Sequence, residues 1–114
     1  MSVTLQIRKI DEDEKKEVIL KTLSDKYSRA IIENTVDSPK SAVDLSTITK
    51  IPISTVYRRL QELYDKKLLA ISGSISKDGK KFFLYKSKIR SINTSYENGI
   101  LNVSIVPNLT INAS

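Results

Sequence analysis

A chain of 114 residues can bury one hydrophobic core but not two, and 39% hydrophobic with 28% charged residues is a globular balance rather than a disordered one. It contains no Cys and no His, which excludes disulfides and thiolate metal sites and removes the commonest metal ligand and general base. No cofactor and no enzymatic activity are expected. The net charge of +6 is concentrated: residues 1–39 hold 7 basic and 8 acidic side chains, residues 40–90 hold 12 and 4, and beyond Arg90 only Glu97 is charged. A block carrying +8 inside a folded domain is the footprint of a polyanionic partner, because each Lys or Arg placed on a phosphate releases condensed counterions.

Val3, Leu5 and Ile7 alternate with polar residues, which predicts a short half-buried strand. The amino terminus is neither a signal peptide nor an apolar run long enough to span a bilayer, so a cytoplasmic location without a membrane partner is expected. Asp11 to Glu14 then feed carboxylates into a helix over Glu17–Leu23, where they offset the helix dipole. Ser24 or Asp25 caps a second helix through Tyr27, Ala30, Ile31 and Ile32 to about Val36, which Asp37-Ser38-Pro39 ends.

Ser41 is a good cap for a short helix over 42–49 with an apolar stripe at Val43, Leu45 and Ile48. Lys50-Ile51-Pro52 interrupts it. A longer helix over 54–66 follows, with Ile53, Val56, Leu60, Leu63 and Tyr64 along one face and Thr55, Arg58, Arg59, Glu62 and Asp65 opposite. A short and a long helix separated by such a break form a helix-turn-helix arrangement. Leu69–Ile75 and Lys81–Tyr85 are then β-prone runs joined across Asp78-Gly79, a hairpin with Lys77, Lys80 and Lys81 at its tip. Asn98-Gly99 marks a second hairpin, with Ile92–Tyr96 before it and Ile100–Val106 after it, Leu101, Val103 and Ile105 sharing a face. Residues 107–114 lack charge and periodicity and read as a tail. Four Asn-x-Ser/Thr triplets, at Asn93, Asn102, Asn108 and Asn112, read as chance products of an Asn- and Ser-rich composition.

Three helices followed by a lysine-tipped hairpin have the layout of a winged helix. The segment Ile51-Pro52-Ile53-Ser54-Thr55-Val56-Tyr57-Arg58-Arg59-Leu60-Gln61-Glu62-Leu63 resembles the recognition helix of ArsR-like and related archaeal winged helix-turn-helix regulators. Over about 20–86 the resemblance supplies a polar pair, Ser54 and Thr55, a buried Val56, groove-facing Arg58 and Arg59, and anchors Leu60 and Leu63. It implies an α+β winged helix over residues 17–90 that binds double-stranded DNA as a homodimer and regulates transcription. The family places a Gly between the recognition helix and the first wing strand, where this chain has Lys66-Lys67. Its metal-sensing mode uses Cys and His and is excluded here.

A helix fits the major groove, and its first turn can present the Ser54 and Thr55 hydroxyls and backbone donors to phosphate or base edges. Tyr57 and Arg58 lie one turn in, where Arg is the usual reader of guanine, while Arg59 can instead pair with Glu62. Lys40, Ser41, Lys77, Lys80 and Lys81 suit backbone contacts that position without reading sequence. Residues 1–16 and the hairpin over 91–106 exceed the minimal unit and are expected to form a sheet extension that mediates the dimer. A winged helix that binds protein rather than DNA is the alternative, disfavoured because protein interfaces deplete lysine. RNA binding is disfavoured because Phe82, Phe83 and Tyr85 read as hairpin core rather than as an exposed stacking platform.

Overall fold

In the computed structural model, which describes residues 6–109, the chain forms a small α+β fold of four helices and two antiparallel sheets. The described elements run β1 (Arg8–Ile10), α1 (Asp13–Ser24), α2 (Lys26–Asn34), α3 (Ala42–Thr49), α4 (Ile53–Asp65), β2 (Leu69–Ile75), β3 (Lys81–Ser87), β4 (Ile89–Glu97) and β5 (Ile100–Pro107). Among the described residues no helix is long and apolar enough to cross a membrane.

Val3 and Leu5 of the expected amino-terminal strand lie outside the described residues. Ile7 is exposed, and pairing begins at Arg8, where β1 joins β5 with Arg8 opposite Ile105 and Ile10 opposite Val103. α1 starts four residues earlier than the apolar pattern suggests, because Asp13 and Glu14 belong to its first turn. Asp25 alone caps α2, accepting from the Ser28 amide at 2.9 Å. α2 stops at Asn34, before the Asp-Ser-Pro signal: the amide of buried Thr35 closes onto the Ile32 carbonyl at 3.1 Å, and the Thr35 carbonyl accepts from the Ser87 amide at 2.9 Å instead of from a further helical turn.

β5 lies between β1 and β4, and β4 and β5 meet at a turn in which Asn98 and Gly99 both adopt positive φ, 54° and 75°. A two-residue hairpin turn of this hand matches strand twist. The sheet does not stand apart from the helices. Ile89 and Val103 belong to the same buried cluster as Ile19, Ile31, Leu45 and Leu60, so the β4–β5 hairpin is part of the one core. The expected tail also begins later. Pro107 ends β5, and Asn108 is buried, its Nδ2 donating to the carbonyls of Val36 at 2.8 Å and Ser87 at 2.9 Å. This ties the end of the described chain to the loop after α2 and to the β3–β4 junction. The expected tail from Thr110 onward lies outside the described residues.

α4 ends without the glycine that the family pattern places there. The Lys67 amide donates to the Tyr64 carbonyl at 2.9 Å and the Leu68 amide to the Leu63 carbonyl at 2.9 Å, while Lys67 takes a φ of 65°. This pair of bonds is a Schellman closure, and buried Leu63 and Leu68 supply the apolar contact that accompanies it. The left-handed turn is therefore present, with lysine bearing a strain of about 1 kcal/mol.

Candidate functional site

α3 and α4 are set against each other by a three-residue break with defined chemistry. Ser41 caps α3 by accepting from the Asp44 amide at 3.1 Å, and the Asp44 carboxylate accepts from the Ser41 amide at 3.4 Å. Lys50 closes the helix in the left-handed region, and the Ser46 hydroxyl donates to the Ile51 carbonyl at 2.7 Å. Ile51 is buried, which pins the break to the core before Pro52 leads into α4. Among the described residues no side chain caps α4, which leaves the amides of its first turn, including those of Ser54 and Thr55, for an outside acceptor.

The apolar stripes expected on α3 and α4 are only partly buried. On α3 the buried face is Ala42 and Leu45, whereas Val43 is 62% and Ile48 50% exposed. The helix meets α4 over a face one position away from the expected one, since residues 42, 45 and 49 align at helical spacing. On α4, Val56, Leu60 and Leu63 are buried, but Ile53 and Tyr64, at the two ends of the stripe, are exposed.

Of the residues expected at the site, Ser54, Tyr57 and Arg58 are exposed and Thr55 is half-buried. Arg58 makes no hydrogen bond or ion pair among the described residues. Arg59 is placed differently from the expectation that it faces a groove. Its Nε donates to Asp25 Oδ2 at 2.7 Å, its Nη1 lies 3.6 Å from Glu62, and its guanidinium lies 6.0 Å from the centre of the Tyr27 ring. It staples α4 to the start of α2. Partial burial works against the ionised Asp25 carboxyl, but the bonds from Arg59 and from the Ser28 hydroxyl and amide outweigh this and hold it down at about 2. The same bond raises the pKa of Arg59.

Lys40 is likewise engaged. Its Nζ donates to the Asn34 carbonyl at 2.7 Å and to Ser38 Oγ at 2.9 Å, while its backbone pairs with Tyr85 through two bonds of 3.0 and 2.8 Å. That pairing fixes β3 beside the start of α3. Ser41 keeps its hydroxyl on the α3 cap. Lys77, Lys80 and Lys81 are exposed at the β2–β3 tip. The tip turns on Lys77 and Asp78, with the Gly79 amide donating to the Ser76 carbonyl at 2.9 Å and Gly79 at φ 83°. The Ser76 hydroxyl also bonds Asp78 and lowers the pKa of its carboxyl.

Between the start of α3, Tyr57 of α4 and β3 lies an open cleft of about 360 Å³, lined by Ser41, Ala42, Val43, Tyr57, Lys81, Phe82, Phe83 and Tyr85. Phe83 is not core, as the sequence suggests, but 50% exposed, and Tyr57 is 54% exposed. Burial raises the pKa of the Tyr85 hydroxyl, and the nearby Tyr57 phenol adds to the effect. Sequence reasoning missed Val43 and Phe83 as members of this site. The signal that bears on Phe83 is Gly73, which sits directly opposite it in the hairpin register and offers no side chain to cover the ring. No family model and no curated protein matches the chain.

Proposed function

We propose that the protein is a winged helix-turn-helix that binds double-stranded DNA as a homodimer and regulates transcription. In this reading α4 is the recognition helix and the β2–β3 hairpin is the wing. The observation that carries it is the cleft itself: Tyr57 on the exposed side of α4 and Lys81 at the base of the hairpin tip border one opening, which no carboxylate lines. A duplex seated there would meet the open first turn of α4, Arg58 one turn in, and the lysines of the tip. Arg58 is the base reader. Lys77, Lys80 and Lys81 contact the backbone, and Arg59 and Lys40 act from behind by holding α4 and β3 in place. Exposed Tyr96 and Ile100 beside the β4–β5 turn offer apolar surface for the second copy.

The test is fluorescence anisotropy of the protein with a labelled random duplex and with the duplex upstream of its own gene, each at two salt concentrations. Binding that falls steeply with salt and favours the upstream duplex supports the proposal. A protein-binding winged helix is the second reading, favoured by the exposed Val43, Ile48 and Phe83. Absence of binding to either duplex at low salt would select it.

A further inference from the structure

The apolar walls of the cleft ask for something that a phosphate backbone does not provide. Phosphate oxygens are satisfied by lysines and open amides, and covering an aromatic face with them gains nothing. Yet Tyr57, Phe83 and Val43 remain more than half or about half exposed around one opening. The face of a nucleic-acid base is the surface that covers such rings, and stacked bases inside a paired duplex do not present theirs.

Resting on the DNA-binding reading, we propose that this cleft receives one unpaired base, so that the protein prefers duplex DNA containing a locally unpaired nucleotide. The cleft, at about 360 Å³, lies within the roughly 300–1,000 Å³ of clefts that hold small planar ligands. The charge is suitable. The Lys81 ammonium lies over the Phe83 ring, 5.8 Å from its centre, so an incoming base would displace it from the ring and leave it free to meet the strand's phosphates, and among the described residues no acidic side chain lines the opening. Recognition of the base edge is available too. The amide and carbonyl of Tyr85 point to the outer edge of β3, where they pair with Lys40. Outward-pointing groups recur every second residue of a strand, so Phe83 presents a donor and an acceptor along the same edge. Among the described residues β3 has no neighbouring strand on that side, only the bridge from Lys40 to Tyr85. A base lying against Phe83 and Tyr57 would find a stacking surface, a donor–acceptor pair and a cation in one place.

The experiment uses the full chain and three DNAs of one sequence: a fully paired duplex, the same duplex with a single unpaired 2-aminopurine, and the single strand. Affinity is measured by anisotropy and stacking by 2-aminopurine fluorescence, for the wild type, Phe83→Ala and Phe83→Trp. The wild type should bind the bulged duplex about tenfold more tightly than the paired one and quench the probe. Phe83→Ala should abolish both effects, bringing the ratio of bulged to paired affinity to about one. Phe83→Trp should retain them, which separates a lost stacking surface from a lost fold. Equal affinity for bulged and paired duplexes with unchanged probe fluorescence would overturn the proposal and leave the duplex-binding reading standing. A bulge preference that survives in Phe83→Ala would also overturn it. Failure to bind any of the three DNAs would overturn both.

Discussion

Replacing Asp25 probes the joint between α2 and α4 at two levels. Asp25 caps α2 and also receives Arg59 at 2.7 Å, with side chains 29% and 24% exposed. Asp25→Asn keeps a capping oxygen but removes the charge, and Asp25→Ala removes both. Displacement of the carboxyl from 3.8 to about 2 corresponds to about 2 kcal/mol at 1.36 kcal/mol per pH unit, and solvent screening of the partly exposed pair trims this to about 1–2 kcal/mol. The cap adds about 1 kcal/mol. Asp25→Asn should therefore lose about 1–2 kcal/mol at pH 7 and Asp25→Ala about 2–3 kcal/mol. The folded-state pKa is depressed, so this stability is fully present above the unfolded value of 3.8 and is lost as pH falls toward 2. Of the wild-type contribution, about 1 kcal/mol should be gone by pH 3, and neither variant should show that component. Urea unfolding followed by circular dichroism at pH 7 and pH 3 measures all three proteins. Asp25→Asn as stable as the wild type at pH 7, with the same loss on acidification, would refute the argument.

Other outcomes follow from the same geometry. Asn108→Ala strands the carbonyls of Val36 and Ser87 and should cost about 2–3 kcal/mol, lowering the melting temperature by roughly 10 °C in a thermal scan. Lys67→Gly relieves a left-handed lysine inside an intact Schellman closure and should gain up to about 1 kcal/mol in urea unfolding. If the duplex-binding proposal holds, Arg58→Ala should weaken binding to the preferred duplex by about 1–3 kcal/mol and relax base preference. Lys80→Ala should weaken all duplexes alike and lower the salt slope by about one in anisotropy titrations.

Much of the element order was legible because its signals are short-range. The bounds of α3 follow from the Ser41 cap and the Lys50-Ile51-Pro52 break, and the Asn98-Gly99 turn follows from two residues that tolerate positive φ. The Asp78-Gly79 signal marked a real hairpin, although its turn is centred one residue earlier, because Gly79 occupies the left-handed position after the turn. At the site, local chemistry pointed to Ser54, Tyr57, Arg58 and the tip lysines as exposed polar or aromatic groups. It separated Arg59 from Arg58 only through the Glu62 that i,i+3 spacing offers to Arg59, a contact present at 3.6 Å. The partner that claims Arg59 is Asp25, 34 residues away, and no periodicity records such a pair.

By itself the sequence determined the order of the four helices and the two hairpins, and where positive charge accumulates, since caps, spacing and turn residues act within a few positions of the chain. Only the tertiary structure decided which apolar side chains are covered. β3 carries aromatics or aliphatics at 82, 83, 84 and 85, so alternation alone offers two apolar faces and cannot say which is left open. Packing against α3 and α4 decides it. That packing leaves Phe83, Tyr57 and Val43 around a cleft, draws Asn108 into the interior and turns Arg59 onto Asp25, because burial is set by the whole arrangement of elements and not by any one of them.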